Sequence, residues 1–574
     1  MDPNSNPLQL TDYVVIAGFF AVMLAIGFYF ARRMRNASDY FAAGKQVPWW
    51  LSSVSYWMSS FSAFAFVAHS ALAYQHGLVP LTIWWAAGVM LIIAGHLVAT
   101  RWRRVGTTSP VEFIEQRYGP TMRQSLSWLG TVLIVLDDAL KIVAIGTVVS
   151  ASIGFPAEDA ILWCGLIMLT YTLLGGLWAV LVTDMVQFVV MLSAVFVLAP
   201  LALGRVGGFV MLVEQVPEGF FQWTAGKYTV AYLSLFAVMA LLGFCTRWSL
   251  VQRFYAVPTD IDARKVCYLV AGLNIVVAPL LLFPALAAVI YLPDVSDPDR
   301  IYGLLCRELL PVGLVGMLIA AIFSATMSSL SSDFNAVASV LTTDVYKRLV
   351  NPADTERHYV MVGRVLTLII GLVTVGLALL MNQYGKQLLL FDKMVIIFVL
   401  LGPSTMIPVL AGLLFRRVSN GGAICGMVSG IALTLAARFL GPTIMQAVVG
   451  DGSIPESAHM LIGMASTVVG LVLGSWIWPG SIAQRDKIDH FLEGLTSQAP
   501  EVSADTTAPA ADVSPTTIVG LAVAALGALL VIVVAVTVPW GEGMLSLIVG
   551  GSMLVLGAIM VAVPRMSMFR STDQ

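Results

Sequence analysis

Long apolar runs separated by short polar connections occupy almost the whole chain. Fifteen can be drawn, at 13–31, 50–74, 81–99, 125–153, 160–174, 177–203, 228–250, 266–292, 314–345, 360–381, 388–415, 423–440, 460–478, 516–538 and 544–563. A bilayer core about 30 Å thick takes roughly 20 helical residues. Nearly every run reaches that length; the fifth is marginal. The pattern predicts an all-α polytopic membrane protein with about fifteen transmembrane helices.

Positive charge orients them, because Lys and Arg collect in cytoplasmic loops. Arg32, Arg33, Arg35 and Lys45 follow the first run, and Arg101, Arg103, Arg104, Arg117 and Arg123 follow the third. Later alternate loops hold Arg253, Arg264 and Lys265, then Lys347, Arg348 and Arg357, then Arg416 and Arg417. The intervening loops are poorer in positive charge and carry Asp294, Asp297 and Asp299. The N-terminus is therefore expected outside, and the tail with Arg565 and Arg570 inside. Residues 484–514 are polar and read as a disordered cytoplasmic tether. The last two runs then form an accessory hairpin.

Composition narrows the class. The chain is 58% hydrophobic and 11% charged, against about 25% charged in soluble domains. A net charge of -2 without a basic run leaves no footprint for nucleic acid. The five cysteines are scattered and form no CxxC pair, so they read as packing residues. The N-terminus lacks a signal-peptide layout, and the first run reads as a retained helix.

The chemistry concentrates in a few places. On a helix, Ala325, Ser328, Ser329 and Ser332 fall at i, i+3, i+4 and i+7 and share a face, with Ser331 beside it. Such a stripe offers neutral oxygen ligands, which suit Na+ or a polar solute rather than a transition metal. Close helix packing would use the same residues. The second run crowds Ser52, Ser53, Ser55, Ser59, Ser60 and Ser62 among aromatics. Hydroxyls can satisfy backbone groups freed where a membrane helix breaks; a kinked continuous helix is the other reading. Asp184, the Asp137, Asp138 and Lys141 group, and Arg247 place charge within apolar runs, where it is costly and marks function by default. Asp137 and Lys141, at i and i+4, can instead form a structural pair. His69 and His96 are read as packing residues.

These residues resemble the sodium/solute symporter family, which includes sodium/glucose, sodium/proline and sodium/sialic acid cotransporters. The resemblance rests on Asp39 through Lys45 with Pro48-Trp49-Trp50, on Thr108 through Tyr118, and on Gly175 through Val180 with Thr183, Asp184 and Gln187. It also rests on Val251-Gln252-Arg253, on Leu310 through Leu314 leading into the serines with Asn335, Asp344 and Tyr346, and on Gly412 to Gly430. It spans roughly residues 10 to 480. It implies a leucine-transporter-like fold, with two inverted five-helix repeats made by the second through eleventh runs. The chain then divides into 1–47 (first helix and loop), 48–416 (transport core), 417–480 (peripheral helices), 481–515 (linker) and 516–574 (hairpin and tail).

The resemblance also implies sites. A sodium ion would be held by the carbonyls of Met58, Phe61 and Ala325 and the hydroxyls of Ser328 and Ser329. A second would use Asp184, Ser328, Ser331 and Ser332. Solute contacts are expected from Ser60, Ser62, Asp137, Lys141, Arg247 and Asn274. Phe64, Ala65, Arg247-Trp248 and Asn274 depart from the sugar carriers' polar residues, which argues against a simple glucose or galactose carrier. The implied activity is sodium-coupled import of a small polar solute (a sugar, sugar acid or other carboxylate) across a cell membrane, expected to be a bacterial inner membrane. Arg247 can bind a carboxylate bidentately, snorkel to the inner surface, or pair with Asp137 or Asp138 and leave a neutral site. A transporter-like sensor is the alternative function. No nucleophile–base set, phosphate loop or metal constellation supports an enzyme.

Overall fold

The computed structural model describes residues 8–31, 47–105, 112–172, 177–384, 387–449, 453–480, 482–496 and 515–571. The 39–45 motif, Gly175-Gly176, the arginines after the first run and residues 497–514 lie outside the described residues. Among the described residues, eleven helices are long and apolar enough to cross a bilayer. They include α1 (Leu10–Ala31) and several introduced below. The other expected spans fail that test for reasons visible in their residues. The second run is two helices, α2 (Trp49–Ser60) and α3 (Ala63–His76). Beyond α4 (Val79–Ala94), the fourth run is a 34-residue helix, α5 (Pro120–Ile153), which carries Asp137, Asp138 and Lys141. The fifth, α6 (Ala157–Thr172), has only 16 residues. After α7 (Leu177–Arg205), the seventh run is α8 (Val230–Thr246) and α9 (Trp248–Tyr255), bent by 52° at Arg247.

Both breaks are local backbone events. Phe61 and Ser62 are extended, and Ser62 Oγ caps α3 by accepting from the Phe64 N–H at 3.3 Å. Arg247 is likewise extended. Each interruption frees backbone groups within an apolar run, and in a membrane such breaks persist only where protein or a lined cavity satisfies them.

Behind the breaks run α10 (Asp260–Tyr291) and α11 (Leu314–Val340). α11 is the central helix. Its apolar window is buried throughout, and it packs on α1, α2, α5, α6 and α7. Its N-terminus is anchored by α1: Asp12 Oδ1 accepts from the Gly313 and Gly316 N–H groups at 2.8 and 2.9 Å. A carboxylate on the first amides of a helix satisfies orphan donors and complements the dipole. Gly316 is needed there, since a Cβ would stand 2.5 Å from the Asp12 carbonyl oxygen. The remaining spans are α12 (Glu356–Gln383), α13 (Leu390–Leu414), α14 (Asn420–Phe439), α15 (Glu456–Ile477), α16 (Pro515–Thr537) and α17 (Trp540–Ser571).

Two expectations are corrected. The tether is not unstructured at its start: Ile482–Thr496 is a helix. Ile488, Leu492 and Leu495 are buried, Phe491 stacks on Phe113, and Arg104 donates to the Leu495 carbonyl at 2.9 Å. Ile488, Phe491, Leu492 and Leu495 repeat at i, i+3, i+4 and i+7, an amphipathic signal present in the sequence. Arg253, assigned to a basic loop, is fully buried.

The C-terminal hairpin docks on the first span. Thr537 Oγ1 lies 2.7 Å from Thr11 Oγ1, and Ser546 Oγ donates to the Val312 carbonyl at 3.0 Å. Its own two helices meet at glycines: a Cβ on Gly520 would stand 2.7 Å from the Gly557 carbonyl oxygen, the close approach that small residues permit in membranes. A chain ending after Thr496 is expected to keep sodium-driven uptake per folded molecule, at reduced thermal stability. Transport assayed on monodisperse truncated protein checks this; complete loss would make the hairpin part of the transport core.

Candidate functional site

The break in α2/α3 faces the serine stripe of α11. Ser59 Oγ lies 2.9 Å from Ser332 Oγ, and the Ala63 N–H donates to Thr326 Oγ1 at 2.9 Å. Ser328 and Ser329 lie between these two tie points. The residues expected to hold sodium, Met58 and Phe61 at the break and Ala325, Ser328 and Ser329 on α11, thus belong to two elements that meet, and carbonyl and hydroxyl oxygens are the donors a hard cation takes. Met58 O accepts from the Phe61 N–H at a long 3.3 Å, which leaves a lone pair for an ion. Ser328 Oγ is buried without a hydrogen-bond partner among the described residues, so an ion there would satisfy it. The Phe61 side chain stays clear of this duty, stacked on Trp57 at 4.6 Å.

The second proposed set is brought together only in part. Asp184 Oδ2 accepts from Ser55 Oγ at 2.5 Å, while Oδ1 is buried with no hydrogen-bond partner among the described residues. Ser328 Oγ sits beside this carboxylate, short of hydrogen-bond geometry. Ser331 turns away and donates to the Ser328 carbonyl at 3.1 Å. Ser332 accepts from Arg253 Nη2 at 2.7 Å. Arg253 also reaches Ser55 and Ser59, and its Nη2 stands 3.8 Å from Asp184. Asp184 and Ser328 therefore fit a cation; Ser331 and Ser332 are committed elsewhere. Asp184→Asn is expected to lower the sodium Hill coefficient, or the charge moved per solute, measured in proteoliposomes. Unchanged stoichiometry would make Asp184 a structural counter-charge to Arg253.

Beside the break lies a cavity of about 220 Å³. Ser60, Ser62, Asp137, Lys141, Arg247 and Asn274 all line it, among Trp57, Phe61, Phe64, Trp84 and Phe236. Asn274 Oδ1 accepts from Trp57 Nε1 at 2.8 Å, and the Ser60 hydroxyl donates to the Trp57 carbonyl.

The charged wall is a closed network. Arg247 Nη2 donates to Asp137 Oδ2 at 2.6 Å and to Asp333 Oδ2 at 2.5 Å. Lys141 Nζ lies 2.6 Å from both Asp138 Oδ1 and Asp333 Oδ2, and 3.1 Å from Asp137 Oδ2. Three carboxylates face one guanidinium and one ammonium, an excess of one formal negative charge. Arg247 is placed by the break between α8 and α9, Asp333 by α11, and the other three by one face of α5. The sequence reading omitted Asp333. Its signal was plain, since it directly follows Ser332 within the longest apolar run. His69 also lines the cavity, its Nδ1 buried with no hydrogen-bond partner among the described residues and its ring edge-on to Trp84. His96 lies away from it, against Tyr268.

A family model described as "Sodium:solute symporter family" matches residues 40–430. The chain belongs to that family. It is a sodium-coupled membrane transporter, not an enzyme, and sodium ions and a solute are its partners. It is 28% identical to a sodium/sialic acid symporter of Aliivibrio fischeri, over 74% of this chain and 87% of that one. It is 26% identical to a sodium/glucose cotransporter of Vibrio parahaemolyticus, over 75% and 86%. A solved outward-open Na+-coupled sialic acid symporter superposes with a TM-score of 0.72 at 22% identity, over 82% of this chain and 99% of that one. The nucleobase-cation-symport transporter MHP1 gives 0.51 at 13%, over 79% and 99%. Both likenesses establish the fold, with the leucine-transporter-type arrangement in which broken helices flank the site.

Proposed function

We propose that this symporter couples sodium to an uncharged polyhydroxylated solute of sugar size. The observation that carries this is the pairing of Arg247. Its guanidinium already has carboxylate partners on α5 and α11, and Lys141 has three. Among the described residues that line the cavity, both cations are already paired, so a carboxylate solute would meet Asp137 with no free positive charge to offset it. Like-charge juxtaposition in a low-dielectric site costs several kcal/mol. The rest of the lining suits a neutral sugar. Aromatic faces can cover its C–H surfaces, while Asn274, Ser60 and the outer carboxylate lone pairs can take its hydroxyls.

Sodium bound at Met58, Phe61, Ala325, Ser328 and Ser329 would hold the α2/α3 break against α11. The solute cavity is lined by that same break, so ion and solute favour the same conformation, and coupling follows from their differential affinity for it. Each sodium ion moving down 100 mV supplies about 2.3 kcal/mol, and each tenfold concentration ratio about 1.4 kcal/mol. The test is counterflow and uptake in proteoliposomes, comparing neutral hexoses and polyols with sugar acids, each with and without a sodium gradient. Sodium-driven uptake of a sugar acid alone would overturn the neutral assignment; uptake indifferent to sodium would overturn the coupling.

A further inference from the structure

A second cavity lies outside the transport core. It measures about 690 Å³, against about 220 Å³ for the solute cavity. Three elements bound it: the connection from α13 to α14, the last turns of α15, and the docked helix Ile482–Thr496. Arg416 and Arg417 line it, and the distribution of positive charge marks their end of the bundle as cytoplasmic. Asp489 is the one acid among the described residues of the lining. Two guanidiniums against one carboxylate leave one formal positive charge in excess.

Neither arginine is firmly committed. Arg416 stands 3.6 Å from Asp489 and 3.9 Å from Glu493, and exposed pairs at such distances are worth little. Arg417 is exposed and makes no hydrogen bond or ion pair among the described residues. Snorkelling to the inner surface accounts for two arginines, but not for the hollow they border. The other side of that hollow is apolar. Val472 and Trp476 lie one turn apart on α15 and are 56% and 80% exposed. Since α15 is long and apolar enough to span a bilayer, this side opens on lipid, with a Trp at the depth Trp prefers. The wall behind it is held by close packing of α14 on α15. A Cβ on Gly422 would stand 2.6 Å from the Leu471 carbonyl oxygen, and Ser475 Oγ accepts from the Ser419 N–H at 3.1 Å.

We propose that this cavity seats an anionic phospholipid of the inner leaflet, its phosphate on Arg416 and Arg417 and its acyl chains along Val472 and Trp476. Guanidinium groups take phosphate through paired N–H donors, and basic pockets between membrane helices on the cytoplasmic side suit acidic headgroups. A free anion would use the arginines and leave the apolar wall bare. A zwitterionic lipid would cover the wall and leave the positive charge unbalanced. The docked helix shares the site, since Ile488 and Asp489 line the cavity while Phe491 and Leu495 meet Phe113 and Arg104. The lipid therefore bridges α14 and α15 to the helix that rests on the loop after the third run.

The full chain, stripped of co-purified lipid in detergent, is titrated with phosphatidylglycerol, phosphatidylcholine or potassium phosphate at constant ionic strength. Native mass spectrometry reads bound lipid, and the melting temperature reads its effect. Phosphatidylglycerol should occupy one tight site and raise the melting temperature; the other two should not. Arg416→Gln with Arg417→Gln should weaken that first binding step at least about tenfold, whereas Arg357→Gln, exposed on another inner loop, should leave it unchanged. Should the double variant fail to fold, Arg417→Gln alone breaks no contact and should still weaken binding at least about threefold. Unaltered phosphatidylglycerol binding in these variants overturns the site. Equally tight phosphatidylcholine binding overturns the anionic headgroup, and equal stabilisation by phosphate overturns the lipid in favour of a free anion.

Discussion

Ser329→Ala should raise the sodium concentration for half-maximal uptake by at least about tenfold, a loss of 1.4 kcal/mol, while the protein stays folded. The Ser329 side chain has its place on the face that meets the α2/α3 break, and a hydroxyl oxygen there is one of few ligands the ion can recruit. Hydrogen bonds to charged groups are worth about 1.5–3 kcal/mol, and a direct ion ligand should reach the upper part of that range. Ser328→Ala should be more damaging. Its hydroxyl stands between the break and Asp184, so its removal weakens both cation positions at once. Uptake against sodium concentration, alongside sodium-induced thermal shift, separates lost binding from lost folding. Normal sodium dependence in Ser329→Ala would remove that residue from the site.

Arg247→Gln should be among the most harmful single substitutions in the chain. It leaves Asp137 and Asp333 facing each other with only Lys141 to balance them and Asp138. Removing one partner of a buried ion pair costs about 3–5 kcal/mol, because the remaining charge is stranded. Both solute uptake and the melting temperature should fall. The discriminating measurement is rescue. Arg247→Gln combined with Asp137→Asn should recover folding, and part of the neutral-solute uptake, because the charge excess returns to its original value. A carboxylate-binding arginine would behave differently: the double variant would stay inactive toward its solute however well it folded.

Much of this arrangement was legible in the residues. Run length gave the class, and the i, i+3, i+4, i+7 spacing from Ala325 gave the face that meets the broken helix. The serines after Trp50 pointed to the break itself. The six expected solute contacts line one cavity: Ser60 and Ser62 flank the break, and Asp137, Lys141 and Arg247 are charges that need one another at membrane depth. What failed was the assignment of individual charges. Arg253 was read as a loop residue because loops are where arginine usually lies. Its neighbours Leu250, Val251 and Phe254 are apolar, and it is buried because Ser55, Ser59 and Ser332, from two other helices, accept its protons. No linear pattern joins residues nearly two hundred positions apart. The network around Arg247 was hidden for the same reason, since its partners come from α5 and α11. The docked helix after residue 481 was missed through its polar average, which masked a periodic apolar face.

The anchoring of Asp12 has a practical consequence for anyone handling this protein. The carboxylate that holds the start of α11 belongs to the twelfth residue of the chain, and Thr11 beside it touches the C-terminal hairpin. A purification tag, fluorescent fusion or trimmed leader placed close to Leu10 therefore pulls on the same helix that supplies Ser328 and Ser329. Altered sodium affinity in such a preparation would report the handle rather than the transporter.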